Sequence, residues 1–156
     1  MPIRVQTEDF DVGRELAELR AGDTSIGAVA AFVGTVRDVS DQTEVAKLTL
    51  EHYPGMTEKS LSAIVDAAGK RWDIAQALVI HRVGVLRPAD QIVLVAVTSA
   101  HRGEAFAACE FIIDYLKTRA PFWKKEETPL GARWVEARVS DDEAAARWQP
   151  PLDPSA

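Results

Sequence analysis

The 156-residue sequence predicts an α+β domain, a mostly antiparallel sheet with packed helices. Three observations lead there. Several short segments are rich in β-formers and either alternate or are apolar throughout. Two longer segments carry apolar residues at helical spacing. The link between residues 84 and 91 is too short for a crossover, so the strands it joins run antiparallel.

Residues 3–6 read as a short edge strand. Residues 11–20 (DVGRELAELR) read as a helix with Asp11 as N-cap. Residues 25–36 (SIGAVAAFVGTV) are apolar on both alternating faces, which predicts a buried strand. Residues 44–53 form a clearer strand around Leu48 and Leu50, and Pro54-Gly55 breaks it. A helix follows at about 57–72, with Leu61, Ile64, Val65, Ala68 and Trp72 on one stripe. Residues 75–84 and 91–98 make a hairpin whose connection holds Pro88.

Residues 100–118 give the longest helix, with Phe106, Cys109, Ile113 and Leu116 on its apolar side, and Pro121 ends it. The stretch APFWKKEETPLG (120–131) reads as a loop, and residues 132–139 as the last strand. The expected domain is 1–140. Residues 141–156 read as an acidic, then proline-rich tail, with a short helix in DDEAAARW and disorder in QPPLDPSA.

Composition narrows the function. The net charge of -6 counts against a nucleic-acid binder. A single cysteine, Cys109, can neither staple the fold nor build a metal knuckle, and it falls on an apolar stripe, as an inert thiol would. His52 and His81 have no partner at ligand spacing, so no metal site is expected. The N-terminus lacks the apolar core of a signal peptide, and the apolar run at 92–97 is far too short to span a bilayer. The expectation is a cytoplasmic protein with no membrane segment.

Three features carry candidate chemistry. His101 and Arg102 open the long helix, where free backbone N–H groups and two cations point at one place. An anion site and a solvated pair are both open readings. Lys117, Lys124 and Lys125 lie within nine residues of each other, with Phe122 and Trp123 between them. Such rings can exclude water and make a lysine a usable base or nucleophile, although a solvated basic loop has the same composition. Arg37 ends a strand in GTVRD, where a ligand-facing side chain or a salt bridge to Asp38 or Asp41 is equally natural.

The segments LTLEHYPGMTEKSL (48–61), VTSAHRGEAF (97–106), DYLKTRAPFWKKE (114–126) and RWVEAR (133–138) resemble the molybdopterin synthase catalytic (large) subunit family. The resemblance runs from GTVRD at 34–38 to RWVEAR, most of the domain. It implies an α/β hammerhead core with a small β-rich region. It implies a sulfurtransferase of molybdenum cofactor biosynthesis, adding two sulfurs to cyclic pyranopterin monophosphate to make the dithiolene of molybdopterin. The sulfur would arrive as a thiocarboxylate on the C-terminal Gly-Gly of a small ubiquitin-like carrier, with no cofactor of the enzyme's own. A homodimer within a heterotetramer is implied as well.

Residue by residue, the family's active-site lysines fall on Lys117 and Lys124. Its substrate contacts fall on Thr35, Val36, Arg37, His101, Arg102, Lys125 and Glu126, and on Arg138, a position that resembles one reaching the other subunit's pocket. Two other classes compete: a non-catalytic binding module for a ubiquitin-like tail, and a single-strand binder using Phe122 and Trp123, which the net charge disfavours.

Overall fold

The computed structural model describes residues 1–40, 43–135 and 139–148. The elements are β1 (Ile3–Gln6), α1 (Val12–Arg20), β2 (Ala28–Thr35), β3 (Val39–Ser40), β4 (Thr43–Glu44), β5 (Lys47–His52), α2 (Met56–Arg71), β6 (Gln76–Arg82), β7 (Gly84–Leu86), β8 (Gln91–Ser99), α3 (Arg102–Arg119), β9 (Phe122–Thr128), β10 (Gly131–Val135) and α4 (Val139–Ala146). The α+β expectation holds.

The first sheet has the order β1-β6-β8-β2, with β1 and β6 parallel and the other pairs antiparallel. Val93, Val95 and Val97 of β8 face the core built with α2 and α3. Leu94 and Ala96 face the other way, onto Phe10, Leu78, Ile80 and the apolar side of α1. Both faces of β6 and β8 are thus covered, which is why these strands are apolar without alternation. The hairpin of β6 and β8 forms as expected, but its connection carries the extra strand β7. Within that connection Pro88 and Ala89 make the turn, with Ala89 at φ 76.

β2 corrects the sequence reading. It is a strand, but an edge strand, and of its residues only Ala30 is buried; Val29, Phe32 and Val33 are exposed. Helix α1 lies over β6 and β8 and leaves β2 uncovered on that face. Val29 and Val33, on that face, are therefore open, and Phe32 on the opposite face is exposed as well.

The second sheet is antiparallel, in the order β10-β9-β5-β7. Here the expected loop at 120–131 proves to be strand β9 and the turn into β10. Lysine and glutamate are poor β-formers, but β9 pairs with β5 on one side and β10 on the other, and those backbone bonds outweigh propensity. Gly131 sits at φ 106 at the turn, and the Thr128 hydroxyl accepts from Leu130 N at 3.2 Å. The last strand is shorter than expected; it ends at Val135, residues 136–138 lie outside the described residues, and Val139 begins α4.

Asp11 caps α1 as anticipated, its carboxylate accepting from Arg14 N at 3.1 Å. Helix α2 buries Leu61, Ile64, Val65 and Ala68. Helix α3 is rotated from its expected stripe. It buries Ala105, Ala108, Cys109, Phe111, Ile112, Tyr115 and Leu116, whereas Phe106 is 65% exposed. Alanines at 105 and 108 let the helix lie close on the sheet, where a phenylalanine would not fit. The helix expected in DDEAAARW is α4. It packs on α3, with Arg147 paired to Glu110 and Asp114 and Trp148 Nε1 donating to Asp114 at 2.7 Å. QPPLDPSA at 149–156 lies outside the described residues. Among the described residues no helix is long and apolar enough to cross a membrane.

Candidate functional site

A cleft of about 330 Å³ opens where the ends of the two sheets meet. The end of β2 supplies Thr35 and Val36, with Arg37 just beyond it. The last turn of α3 supplies Leu116 and Lys117, and β9 supplies Phe122, Lys124 and Glu126. The selection on β9 follows from strand geometry: residues two apart share a face, so Phe122, Lys124 and Glu126 turn inward together. The loop reading missed this, because lysines scattered in a loop have no common direction.

Lys117 stands in the last turn of α3, where the helix's unpaired carbonyls favour a cation. Lys124 reaches the same cleft from β9. The two lysines, seven positions apart, are brought together because Pro121 turns the chain from helix into strand. Arg37 adds a third cation from β2. Glu126 is buried and tied down: Arg133 Nε lies 3.3 Å from its Oε1, and the same guanidinium donates to Ser40 O at 3.0 Å. That fork fastens the β3 segment to β10 beside the cleft.

Other candidates lie elsewhere. Lys125 is on the opposite face of β9, its ammonium 5.9 Å from the centre of the Trp134 ring, and it does not line the cleft. Trp123 shares that outer face and is 48% exposed, so it does not wall the site. His101 and Arg102 begin α3, and 18 residues of helix put about 27 Å between them and Arg119. One chain alone does not bring them to Lys117. Arg138 lies outside the described residues. Among the described residues, no group of three or more His, Cys, Asp or Glu is gathered as metal ligands would be.

Sequence reasoning weighed His81 only as a metal ligand and gave Ser40 and Asp141, which also line the cleft, no role. His81 ends β6, and only the packing of the second sheet against the first puts it beside the lysines. Burial pushes its pKa down to about 3, against the bond to the Arg82 carbonyl and with the charges of Lys117, Lys124 and His52 acting in the same direction as burial. Nothing in the local pattern around His81 signals this. Cys109 lies away from the cleft, with its thiol 3.6 Å from Val95 O; burial first, then Glu110, pushes its pKa up to about 11. It is an unreactive thiol.

Comparison with known proteins gives a consistent answer. A curated molybdopterin synthase catalytic subunit from Ralstonia nicotianae is 70% identical over 146 residues, covering 94% of this chain and 83% of that protein. The MoaE molybdopterin biosynthesis protein of Burkholderia ambifaria has a solved structure with TM-score 0.82 and 60% identity, over 94% of this chain and 97% of that one. Molybdopterin synthase from Staphylococcus aureus superimposes with TM-score 0.79 at 32% identity, over 85% of this chain and 96% of that one. Residues 5–119 match the MoaE protein family, and the chain belongs to it.

Proposed function

We propose that this chain is the catalytic subunit of a cytoplasmic molybdopterin synthase. It transfers two sulfurs, one at a time, to cyclic pyranopterin monophosphate and so makes the dithiolene of molybdopterin. Each sulfur enters as the C-terminal thiocarboxylate of a small ubiquitin-like carrier ending in Gly-Gly, and the enzyme needs no cofactor of its own. The observation that carries this reading is the meeting of Lys117, Lys124 and Arg37 in one cleft. Two anions must come together there, a thiocarboxylate and a phosphate ester, and clustered cations both attract and orient them. The lysines also hold protons close to the developing charges. Cys109 is too buried to carry sulfur itself.

A homodimer accounts for His101 and Arg102. Strand β2 has an open edge with apolar side chains on both faces. It is about 26 Å long and runs in the same direction as α3, since both are antiparallel to β8. Gly27 lies against the Ala100 carbonyl, so the start of β2 adjoins the start of α3. If two copies paired antiparallel through β2, the start of each strand would meet the end of the other. His101 and Arg102 of one copy would then face the cleft of the other.

The decisive experiment mixes the protein with a thiocarboxylated carrier and the pterin precursor and measures molybdopterin. Binding of the carrier without product would leave only a docking module. The dimer has its own test. Lys117→Ala and Arg102→Ala chains, each poorly active, should recover about a quarter of wild-type turnover when mixed and allowed to exchange subunits, because half the dimers would then hold one intact site. No recovery after exchange would remove Arg102 from the partner's site.

A further inference from the structure

His81 sits at the end of β6, and its ring lines the cleft beside Lys117 and Lys124. It is 4% exposed. Two contacts fix the ring. It stacks on Phe122, with centroids 3.8 Å apart and planes 16° apart. Its Nδ1 lies 2.8 Å from the Arg82 carbonyl oxygen. A carbonyl oxygen only accepts, so Nδ1 carries the hydrogen and the lone pair of the neutral ring is on Nε2. The ring stays neutral at any ordinary working pH, because burial and the surrounding charges of Lys117, Lys124 and His52 all oppose a second proton. Of those three groups, Lys117 bears most strongly on it.

A neutral acceptor has a particular use in this place. A carboxylate would orient a lysine too, but it would also cancel the charge that draws in the anionic substrates. Of the two carboxylates that line the cleft, Glu126 is buried and engaged by Arg133, and Asp141 stands in the first turn of α4. An imidazole locked in one tautomer can take a hydrogen bond from an ammonium and leave its charge intact.

We propose that His81 is a positioning residue for Lys117, which lines the same cleft: when the carrier is bound, its Nε2 accepts a hydrogen bond from Lys117 Nζ and aims that cation at the sulfur donor. The target and the carrier-bound contact rest on the sulfur-transfer reading above; the fixed, neutral ring beside Lys117 does not.

Two variants test it. His81→Phe keeps a ring to stack on Phe122 and removes both nitrogens. His81→Gln puts an amide oxygen near the place of Nε2. His81→Phe should lower kcat by about tenfold or more while KM for the carrier stays within about twofold, because a misdirected catalytic group costs rate more than binding. His81→Gln should recover most of that loss. Crystal structures of the wild type and His81→Phe in complex with the carrier supply a readout independent of turnover. Lys117 Nζ should lie about 2.7–3.2 Å from Nε2 in the wild type and turn away in the variant. Equal losses in both variants, or losses that merely follow the melting temperature, overturn the proposal. So does a wild-type carrier complex with Lys117 out of reach of Nε2. A wild type that holds the contact but makes no molybdopterin overturns the sulfur-transfer reading instead.

Discussion

Strands β8 and β9 show how differently the two sheets use their faces. From Ile92 to Ser99 every residue of β8 is buried, and helices cover both sides of it. On β9, Phe122, Lys124 and Glu126 turn into a cleft while Trp123 and Lys125 turn outward. A strand covered on both sides has no room for charge, since an unpaired buried charge costs several kcal/mol. A strand with one face on an open cleft can hold lysines there, wet enough to stay soluble and enclosed enough to act on a substrate. The covered interior of the first sheet is therefore scaffold, and the cleft where its ends meet β9 and the last turn of α3 carries the chemistry, so damage to each should have separable consequences.

The largest expected effect is in the cleft. Lys117→Ala should lower turnover by at least about 100-fold, the usual loss for a group that handles protons or developing charge. Carrier binding and melting temperature should stay as in the wild type. Turnover within twofold of wild type would erase the distinction between cleft and scaffold as far as function goes.

The scaffold should respond in the opposite way. Leu94 is fully buried between β8 and α1. Leu94→Ala should cost about 2–5 kcal/mol in a urea melt, from lost burial and the cavity left behind. At a temperature where the variant is still folded, kcat should be unchanged. A large fall in kcat there would mean that the scaffold and the site are mechanically coupled.

His81 joins the two regions, and acid should expose it. Its pKa falls from 6.5 to about 3 on folding, so the unfolded chain binds the extra proton first. Its contribution to stability is fully present above pH 6.5 and is lost progressively as pH falls from 6.5 towards 3. The slope from this one group is at most about 1.4 kcal/mol per pH unit. Urea midpoints measured across that range should flatten in His81→Gln. Identical slopes for the two proteins would mean that other groups dominate the acid response.

The smallest effect belongs to Cys109, on the scaffold side of α3. Cys109→Ala should cost about 1 kcal/mol and leave sulfur transfer at the wild-type rate. In the native wild type the thiol should resist a disulfide reagent at pH 8, since burial holds its pKa at about 11. Rapid labelling, or a folded variant without activity, would bring a protein thiol into the reaction.

Much of this was legible beforehand. The Asp11 cap, the α2 stripe and the β6–β8 hairpin are local signals, set by neighbours within a few positions. Lys117, Lys124 and Arg37 could be singled out because their segments resemble a known family. The misreadings share a cause. β2 is as apolar as a buried strand, yet α1 does not extend over it. β9 has the composition of a loop, yet strands on both sides pair with it. Phe106 fits a helical stripe, yet close packing of α3 on the sheet selects the alanines one and two positions away. In each case neighbours distant in sequence overrode the local pattern.

By itself, then, the sequence determined the elements of short range: where helices start, where prolines end them, which strands alternate, and which side chains can carry charge. Tertiary structure decided which faces are covered and which cations meet. Lys117 and Lys124 share a cleft because the chain reverses at Pro121, and His81 joins them because a second sheet closes over the end of the first. Burial, tautomer and the company a side chain keeps depend on contacts between segments tens of residues apart, and no local periodicity encodes them.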